Sequence, residues 1–314
     1  MKPFLKYTGA KYSELNKFQK HIPDNINNFY EPFVGGGSVY LNTIAKNYFI
    51  NDKDKKIYNF WKDISHDNIM GIEYLYHNNI SKRKSLENEQ ELKLFFWNNK
   101  DCKYLKKVYK FLEKENISCP TERLSFYKKV IMEQFYYNQR SLFNMLHDPI
   151  STYFVKEYAY SSMCRYNKKG EFNIPYGGIS YNEKKLSENI LNMKKYVSSK
   201  MKENTQVYNE DFEVFLSNKK FQENDFIFLD PPYTTSFSSY GGNSFTKKDH
   251  ERLKKVLTNV FCKFMMVINE DDFIKDLYKD FYVLDTYHKK YKVNIKNRVS
   301  SETNHLVITN YRKH

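Results

Sequence analysis

Short apolar runs, separated by turn residues, dominate the first sixty residues of the chain. Residues 29–33 form one such run, and residues 48–52 form a second that ends on the acid Asp52. The glycine-rich segment at residues 34–38 predicts a tight turn that opens a helix through Leu41 and Ala45. A strand, a glycine turn, a helix and an acid-tipped strand form the first half of a nucleotide-binding sheet.

The same kind of pattern returns after residue 205. Residues 225–230 contain a continuously apolar run, as expected for a strand that is buried on both faces of a parallel sheet. Thr246 and Asp249 predict an imperfect capping box at the start of a helix. Further elements are predicted as strands at residues 206–208, 264–268, 281–284 and 306–309 and as a helix at residues 273–278. The sheet is therefore built from two parts that are far apart in the sequence.

The middle of the chain has a different character. Residues 61–133 are charged and rich in lysine, with apolar residues at helical spacing, which predicts a small helical insertion. Residues 135–179 are rich in Tyr, Asn, Ser and Arg, and no long helix or buried strand is expected there. The segment Lys168-Lys169-Gly170 predicts the tip of a hairpin.

The net charge of the chain indicates a polyanionic partner. The 314 residues include 51 Lys plus Arg against 37 Asp plus Glu, a formal net charge of +14. Nucleic-acid binding would explain the excess, but so would the residue bias of an AT-rich genome, because only seven of the basic residues are arginines. No apolar run is long enough to span a membrane and no signal peptide is apparent, so a soluble, intracellular protein is expected.

The glycine turn and the acid that follows it suggest a cofactor site. Residues 33–37 match F-x-G-x-G, and the backbone amides of such a turn let a polar ligand approach the main chain closely. Asp52 can accept hydrogen bonds from both hydroxyls of a ribose. Both features also occur in purely structural roles, so neither identifies a ligand by itself.

The tetrapeptide Asp230-Pro231-Pro232-Tyr233 is more specific, because it follows the buried strand and projects from the edge of the sheet where α/β folds bind ligands. The prolines stiffen the backbone and remove two amide donors. The Asp230 carboxylate and the Pro231 carbonyl can then accept the N–H groups of an amine, and Tyr233 offers a stacking face for a base. This predicts direct methylation of an amine by a sulfonium, which needs no metal and no thiol nucleophile. A proline-stiffened structural loop is the alternative.

Four segments of the chain match, in the same order, the motifs of one protein family: residues 6–11 (KYTGAK), 31–38 (EPFVGGGS), 164–177 (CRYNKKGEFNIPYG) and 230–233 (DPPY). In this order they resemble motifs of the Dam-type (D12 class, alpha group) DNA adenine-N6 methyltransferases. The resemblance implies an α/β fold with a Rossmann-like S-adenosylmethionine-dependent methyltransferase sheet and an inserted, mainly helical target-recognition domain that carries a β-hairpin. The catalytic domain would comprise residues 1–56 and 184–314, the recognition domain residues 57–183, and the hairpin about residues 158–180.

The resemblance also assigns site residues. The tetrapeptide Asp230, Pro231, Pro232 and Tyr233 would be catalytic. The residues expected to bind S-adenosylmethionine are Tyr7, Lys11, Phe33, Gly35, Gly37, Asp52, Asp211 and Asp230. Tyr7 replaces a family Trp, and Glu210, beside Asp211, replaces a family Gly.

DNA contacts are expected from Tyr160, Arg165 and Asn167 of the hairpin. Arg165 would read a guanine through a bidentate contact, and Tyr160 would wedge into the stack beside a flipped base. A surface salt bridge is the alternative for Arg165. Lys292 and Arg298 lie in a basic stretch that suits phosphate contacts, although an ordinary solvated loop fits equally.

The sequence thus predicts a site-specific methyltransferase that methylates the N6 amine of a flipped adenine in double-stranded DNA. GATC, the commonest family target, is the default site, although Ser161 and Ser162 depart from the family motif and about eighteen extra residues precede the hairpin. The alternatives are a cytosine-N4 methyltransferase, a ribosomal RNA adenine methyltransferase and a non-catalytic DNA-binding protein on the same fold. A companion restriction endonuclease would be a partner in a restriction-modification system. The expected location is the cytoplasm of a prokaryote or a phage or viral host compartment with access to DNA, with no membrane or metal partner.

Overall fold

A seven-stranded sheet forms the centre of the molecule. The computed structural model describes residues 1–7, 9–66, 69–77, 90–91, 110, 113–162, 165–178, 180–181, 186–232, 245–290 and 302–312. The strands are β1 (Ile26–Glu31), β2 (Ala45–Asn51), β3 (Thr205–Tyr208), β4 (Phe226–Leu229), β5 (Lys263–Asn269), β6 (Tyr282–Lys290) and β7 (Glu302–Thr309). Their order is β3-β2-β1-β4-β5-β7-β6.

All strand pairs from β3 to β5 are parallel, and β7 runs antiparallel to both β5 and β6. The strand order reverses between β1 and β4, so the carboxyl ends of these two strands flank the switch point where such sheets bind ligands. The sheet is buried on both faces: in β4, Phe226 and Phe228 join one core cluster, while Ile227 joins the other. This double burial accounts for the continuous apolar run in the sequence.

Helices cover both faces of the sheet. They are α1 (Leu15–Phe18), α2 (Lys55–Ser65), α3 (Met70–Leu75), α4 (Pro120–Leu146), α5 (Pro149–Tyr158), α6 (Ser187–Val197), α7 (Lys200–Glu203), α8 (Phe212–Ser217), α9 (Lys247–Thr258) and α10 (Asp272–Leu277). The capping box predicted for α9 forms in full, because Thr246 and Asp249 each bond the other's backbone amide. No helix among the described residues is long and apolar enough to cross a membrane.

The helix predicted after the glycine turn is wrong. Only the 3₁₀ turn Tyr40–Asn42 forms, and Ala45 already begins β2. Residue spacing explains this outcome: Leu41 makes one helical bond to the Gly37 carbonyl, and the next two amides bond three residues back instead. The connection is too short for a helix, because its length is set by the return of the chain to β2.

The prediction that no long helix lies between residues 135 and 179 is also wrong. Helix α4 continues to Leu146, where His147 adopts a left-handed conformation, and Asp148 caps α5 by accepting a hydrogen bond from Ser151. Residues 151–158 of α5 are all buried. A helix that is buried on every side has no polar face, so its sequence lacks the periodicity that signals a helix.

Candidate active site

The glycine turn after β1 is shaped by close packing against two aromatic rings. Gly35 and Gly37 both have positive φ, +47° and +74°. A Cβ on Gly35 would lie 3.1 Å from the Tyr7 ring, and one on Gly37 would lie 2.3 Å from the Trp61 ring. The Trp61 indole also donates a hydrogen bond to the Gly35 carbonyl at 3.0 Å. The turn therefore requires glycine for conformation and for space.

We expect Gly37→Ala to lower the free energy of unfolding by about 1 kcal/mol for the left-handed backbone and by a further ~1–3 kcal/mol for the clash with Trp61. Gly170→Ala is a matched control, because Gly170 has a similar φ of +77° but no described atom within 4 Å of the added Cβ. Urea unfolding of both variants measures the difference. Equal losses would contradict a packing role for Gly37.

Asp52 follows β2 and faces the glycine turn. One carboxylate oxygen accepts the Gly35 amide at 3.0 Å, and the other accepts the Asp54 amide at 2.9 Å. Burial raises the pKa of Asp52 to about 7, with a further rise from the charge of Asp54 and a partial reduction from those hydrogen bonds and from Lys156. The carboxylate is thus held against the main chain of the glycine turn, where its remaining acceptor capacity suits a ligand that donates hydroxyl hydrogen bonds.

Asp230 follows β4 and pairs with Lys11 across the switch point. The Lys11 ammonium lies 2.6 Å from Asp230 Oδ1 and 3.3 Å from the Gly9 carbonyl, and the Lys11 side chain is only 2% exposed. Burial raises the pKa of Asp230, while the charge of Lys11 and its hydrogen bond act in the opposite direction. Pro231 is buried directly after it. The pair fixes the carboxylate at the carboxyl edge of the sheet.

A buried cluster is centred on Glu14, whose carboxylate is influenced by the charge of Lys11. Glu14 accepts hydrogen bonds from the Tyr287 hydroxyl at 2.8 Å and from the Lys289 ammonium, and its carboxylate lies 2.8 Å from His305 Nδ1. Burial alone would raise the pKa of Glu14, but His305, Lys11 and Lys289 lower it to about 2. Glu14 therefore stays ionised and connects the first helical turn with β6 and β7. Only its pairing in space, not its sequence context, reveals this role.

Two further residues near the site were not singled out from the sequence. Glu31, at the end of β1, is 2% exposed, and its Oε2 has no hydrogen-bond partner within the described part of the chain. Burial and the charges of Asp230 and Asp52 raise the pKa of Glu31 well above its usual range. Asn51 holds the adjacent loops together by bonding the Pro32 carbonyl and both main-chain groups of Glu210. Glu31 is one acid within a short motif, and Asn51 is an amide at the end of a strand. Neither has a sequence feature that marks it as a site residue.

The remaining cofactor candidates lie at the neighbouring strand ends. The half-buried ring of Phe33 packs against Phe212 and Phe245, with centroids 5.6 and 5.7 Å away. Asp211 caps α8, and its carboxylate also accepts hydrogen bonds from Arg252 at 2.6 Å and Lys53 at 3.1 Å. These bonds occupy the Asp211 carboxylate, so its suggested place beside a cofactor adenine stays a prediction.

Two isolated antiparallel bridges lie in the segment where a hairpin is predicted around residue 170. Tyr166 and Phe172 form an antiparallel bridge, as do Ala159 and Tyr176, and Gly170 lies at the tip. The side-chain oxygen of Asn167 accepts the amides of Lys169 and Glu171, and its amino group bonds the Glu171 carboxylate. Asn167 thus shapes the tip itself, and its contact with DNA stays a prediction.

Arg165 and Tyr160 are both exposed on this hairpin. The Arg165 Nε donates to the Asn173 side chain at 3.1 Å, which orients the guanidinium. The Tyr160 side chain is 47% exposed, and Ser161 beside it has a left-handed φ of +51°. Neither lies in the Lys11 and Asp230 site. The predictions for Tyr233, Lys292 and Arg298 fall outside the described residues.

The sheet order, the glycine turn and the acids after β2 and β4 are consistent with a Rossmann-like methyltransferase fold. The family model of the D12 class N6 adenine-specific DNA methyltransferases matches residues 7–295. The chain therefore belongs to this family, and it is an enzyme that methylates adenine in DNA at N6.

Named relatives extend over most of the chain. The type II methyltransferase M.CviBI of Paramecium bursaria Chlorella virus NC1A is 28% identical over 317 residues, which cover 99% of this chain and all of that protein. The DNA adenine methylase of a Vibrio cholerae O1 strain is 29% identical, covering 81% of this chain and 74% of the relative. That of Escherichia coli K12 is 26% identical with the same coverage.

Proposed function

We propose that the protein transfers a methyl group from S-adenosylmethionine to the N6 amine of a flipped adenine at a specific site in double-stranded DNA. The observation that carries this proposal is the Lys11 and Asp230 pair, 2.6 Å apart at the carboxyl end of β4. It lies beside the glycine turn and Asp52, where a dinucleotide-type ligand approaches an α/β sheet.

The residues present suit this cofactor. Its sulfonium and ammonium groups are positive, and three acids lie at this edge of the sheet, where the charges of Asp230 and Asp52 raise the pKa of Glu31. Glu31 Oε2 in particular has no hydrogen-bond partner among the residues described. When bound, the cofactor supplies a methyl group that is already activated for displacement. We assign Tyr7, Lys11, Phe33, Gly35, Gly37 and Asp52 to its binding.

The protein's contribution to the reaction is positioning. Asp230 and the Pro231 carbonyl accept the two N–H groups of the target amine, which directs the nitrogen lone pair towards the methyl group. The ion pair with Lys11 keeps the carboxylate in place during this alignment. Tyr233 then stacks against the flipped base.

We propose that the catalytic domain comprises residues 1–56 and 184–314 and that the recognition domain comprises residues 57–183.

A methylation assay tests the central claim. Purified protein incubated with labelled S-adenosylmethionine and duplex DNA should yield N6-methyladenine after nucleoside digestion. Recovery of N4-methylcytosine, or no transfer to any duplex, would refute the proposal. Sequencing of methylated DNA from expressing cells would identify the target, for which GATC is the starting hypothesis. The relative M.CviBI is named a type II methyltransferase, which supports a role beside a restriction endonuclease.

Arg165 is the residue that we expect to read a guanine in the target site. Arg165→Lys keeps the charge but loses the bidentate fork, so discrimination at one guanine should fall by about 1–3 kcal/mol while affinity for other sequences changes little. Competition binding with duplexes altered at single positions measures this. A uniform loss over all sequences would instead make Arg165 a phosphate contact.

A further inference from the structure

One face of helix α4 lies along the edge of the hairpin segment, residues 165–174. Three polar side chains on that face, spaced four residues apart, are Tyr136, Arg140 and Asn144. All three bond the main chain of residues 172–174. A helix advances about 6 Å over four residues and a strand about 6.6 Å over two, so the two spacings match. The end of α4 therefore stands beside this segment as a neighbouring strand would.

Asn144 takes the place of a strand partner for Phe172. Its side-chain amide donates to the Phe172 carbonyl at 3.1 Å, and its side-chain oxygen accepts the Phe172 amide at 2.8 Å. An antiparallel strand makes the same pair of bonds. The bridge between Phe172 and Tyr166 does not use these two groups, because its bonds come from the residues on either side. Phe172 is 1% exposed, so without Asn144 a buried donor and a buried acceptor would both lose their partner.

Ile174 is anchored to the same helix two positions further on. Its carbonyl accepts hydrogen bonds from the Tyr136 hydroxyl at 2.7 Å and from the Arg140 guanidinium at 3.0 Å. That guanidinium also lies over the Tyr137 ring, 4.6 Å from its centroid, which restricts its orientation. The main chain is therefore held by α4 on both sides of Asn173.

Asn173 connects this anchored main chain with Arg165. The Asn173 amide bonds the Arg165 carbonyl at 3.2 Å, and the Asn173 side-chain oxygen accepts from Arg165 Nε at 3.1 Å. A bidentate contact with a base requires a guanidinium of fixed direction. We propose that Asn144 is a positioning residue that directs the exposed Arg165 guanidinium by fixing the main chain around Asn173, and that it thereby sets discrimination between target sequences. This proposal rests on the proposed function, since it takes Arg165 as the residue that reads a guanine.

The test compares methylation rates at many sequences in one reaction. Each protein is incubated with S-adenosylmethionine and plasmid DNA that lacks adenine methylation, and sequencing of the modified bases gives the rate at every adenine. Arg165→Lys identifies the guanine concerned as the position where discrimination falls. The substitution Asn144→Leu retains the approximate shape of the side chain but removes both bonds, so discrimination at the same guanine should fall about tenfold. Binding of S-adenosylhomocysteine, measured by isothermal titration calorimetry, should equal that of wild type.

A double variant shows whether Asn144 acts through Arg165. If it does, the double variant Asn144→Leu, Arg165→Lys should discriminate as well as Arg165→Lys alone, because the fork that Asn144 directs is already absent. Independent roles would instead add. A further loss of about tenfold in the double variant would therefore overturn the proposal.

Asn310 provides a matched control for stability. Its side chain also makes two main-chain bonds, to the Phe264 amide and to the Cys262 carbonyl, at 2.9 Å each. These bonds lie at the amino end of β5, away from the hairpin segment. Asn310→Leu should lower thermal stability comparably and leave discrimination unchanged. Asn144→Ala removes the same bonds as Asn144→Leu with a smaller side chain, and it replaces the Leu variant if thermal unfolding shows that the Leu variant is not folded.

The outcomes distinguish this inference from the proposed function. If wild type methylates no adenine in the plasmid, the proposed function is refuted. If Arg165→Lys relaxes no position, Arg165 does not read a guanine, and the role of Asn144 is refuted with it. If Arg165→Lys relaxes one guanine and the Asn144 variants do not, the role of Asn144 is refuted alone. An equal loss of rate at every sequence would also overturn it, because a purely structural anchor gives that result.

Discussion

Asp230→Asn should lower the kcat of methyl transfer by at least about a hundredfold while DNA binding remains measurable. The amide has nearly the same shape as the carboxylate but one acceptor fewer, and it can turn a donor towards the target amine. Loss of one such preorganised group in an active site typically costs 10²–10³ in rate. Single-turnover methylation with saturating cofactor measures the chemical step. Full activity in the variant would refute the role of the tetrapeptide.

Stability must be separated from chemistry in this experiment. The Lys11 ammonium is 2% exposed and pairs with Asp230 at 2.6 Å, so the single variant also removes the charge that compensates it. Breaking a buried pair from one side costs about 3–5 kcal/mol. The double variant Lys11→Met, Asp230→Asn removes both charges and should regain much of that stability but none of the activity. Urea unfolding of the two variants provides the comparison.

Glu14→Gln should destabilise the protein by about 3–5 kcal/mol, because it removes the negative charge shared by His305, Lys289 and Lys11. The Glu14 side chain is 5% exposed, so water compensates little of this loss. Urea unfolding at neutral pH measures the change. Glu213→Gln is a control, since it removes a half-exposed carboxylate that pairs with Arg252 at 2.7 Å and should cost at most about 1 kcal/mol.

The lowered pKa of Glu14 also predicts how the stability of the protein depends on pH in acid. The pKa of Glu14 is lowered from 4.5 to about 2 in the folded protein, so its contribution is complete above pH 4.5 and is lost as the pH falls towards 2. A difference of this size corresponds to about 3 kcal/mol. Wild type should therefore lose more stability than Glu14→Gln over this window. Parallel pH profiles would show that Glu14 is not the titrating group.

Most of the sheet could be predicted from the sequence because buried parallel strands have an unmistakable composition. The apolar run before Asp230 forms β4, and the acid-tipped run before Asp52 forms β2. Both strands pair with β1. Two of the predicted cofactor residues, Lys11 and Asp230, lie 2.6 Å apart, because a motif that follows a parallel strand is placed at the carboxyl edge of the sheet. Their role in cofactor binding stays a prediction.

Other features depend on contacts that local sequence does not reveal. The residues between the glycine turn and β2 follow a helical pattern, but the connection is too short for a helix because β2 already begins at Ala45. Residues 151–158 of helix α5 are all buried, so the helix has no polar face and its sequence shows no helical periodicity. The partners of Glu14 lie in β6 and β7, which are more than 270 positions away along the chain. Only the folded arrangement connects them.

The pairing of Lys11 with Asp230 spans 219 positions of sequence, and the amide of Asn28 in β1 bonds Asp225 beside β4 across 197. A ribosome adds about 5–20 residues per second. The central strand β1 therefore emerges roughly 10–40 s before β4 can cover its open edge. During synthesis an apolar strand with an unpaired edge is exposed, which is the state most open to association with other chains. The order in which the sheet is encoded thus delays completion of its centre until β4 has been synthesised.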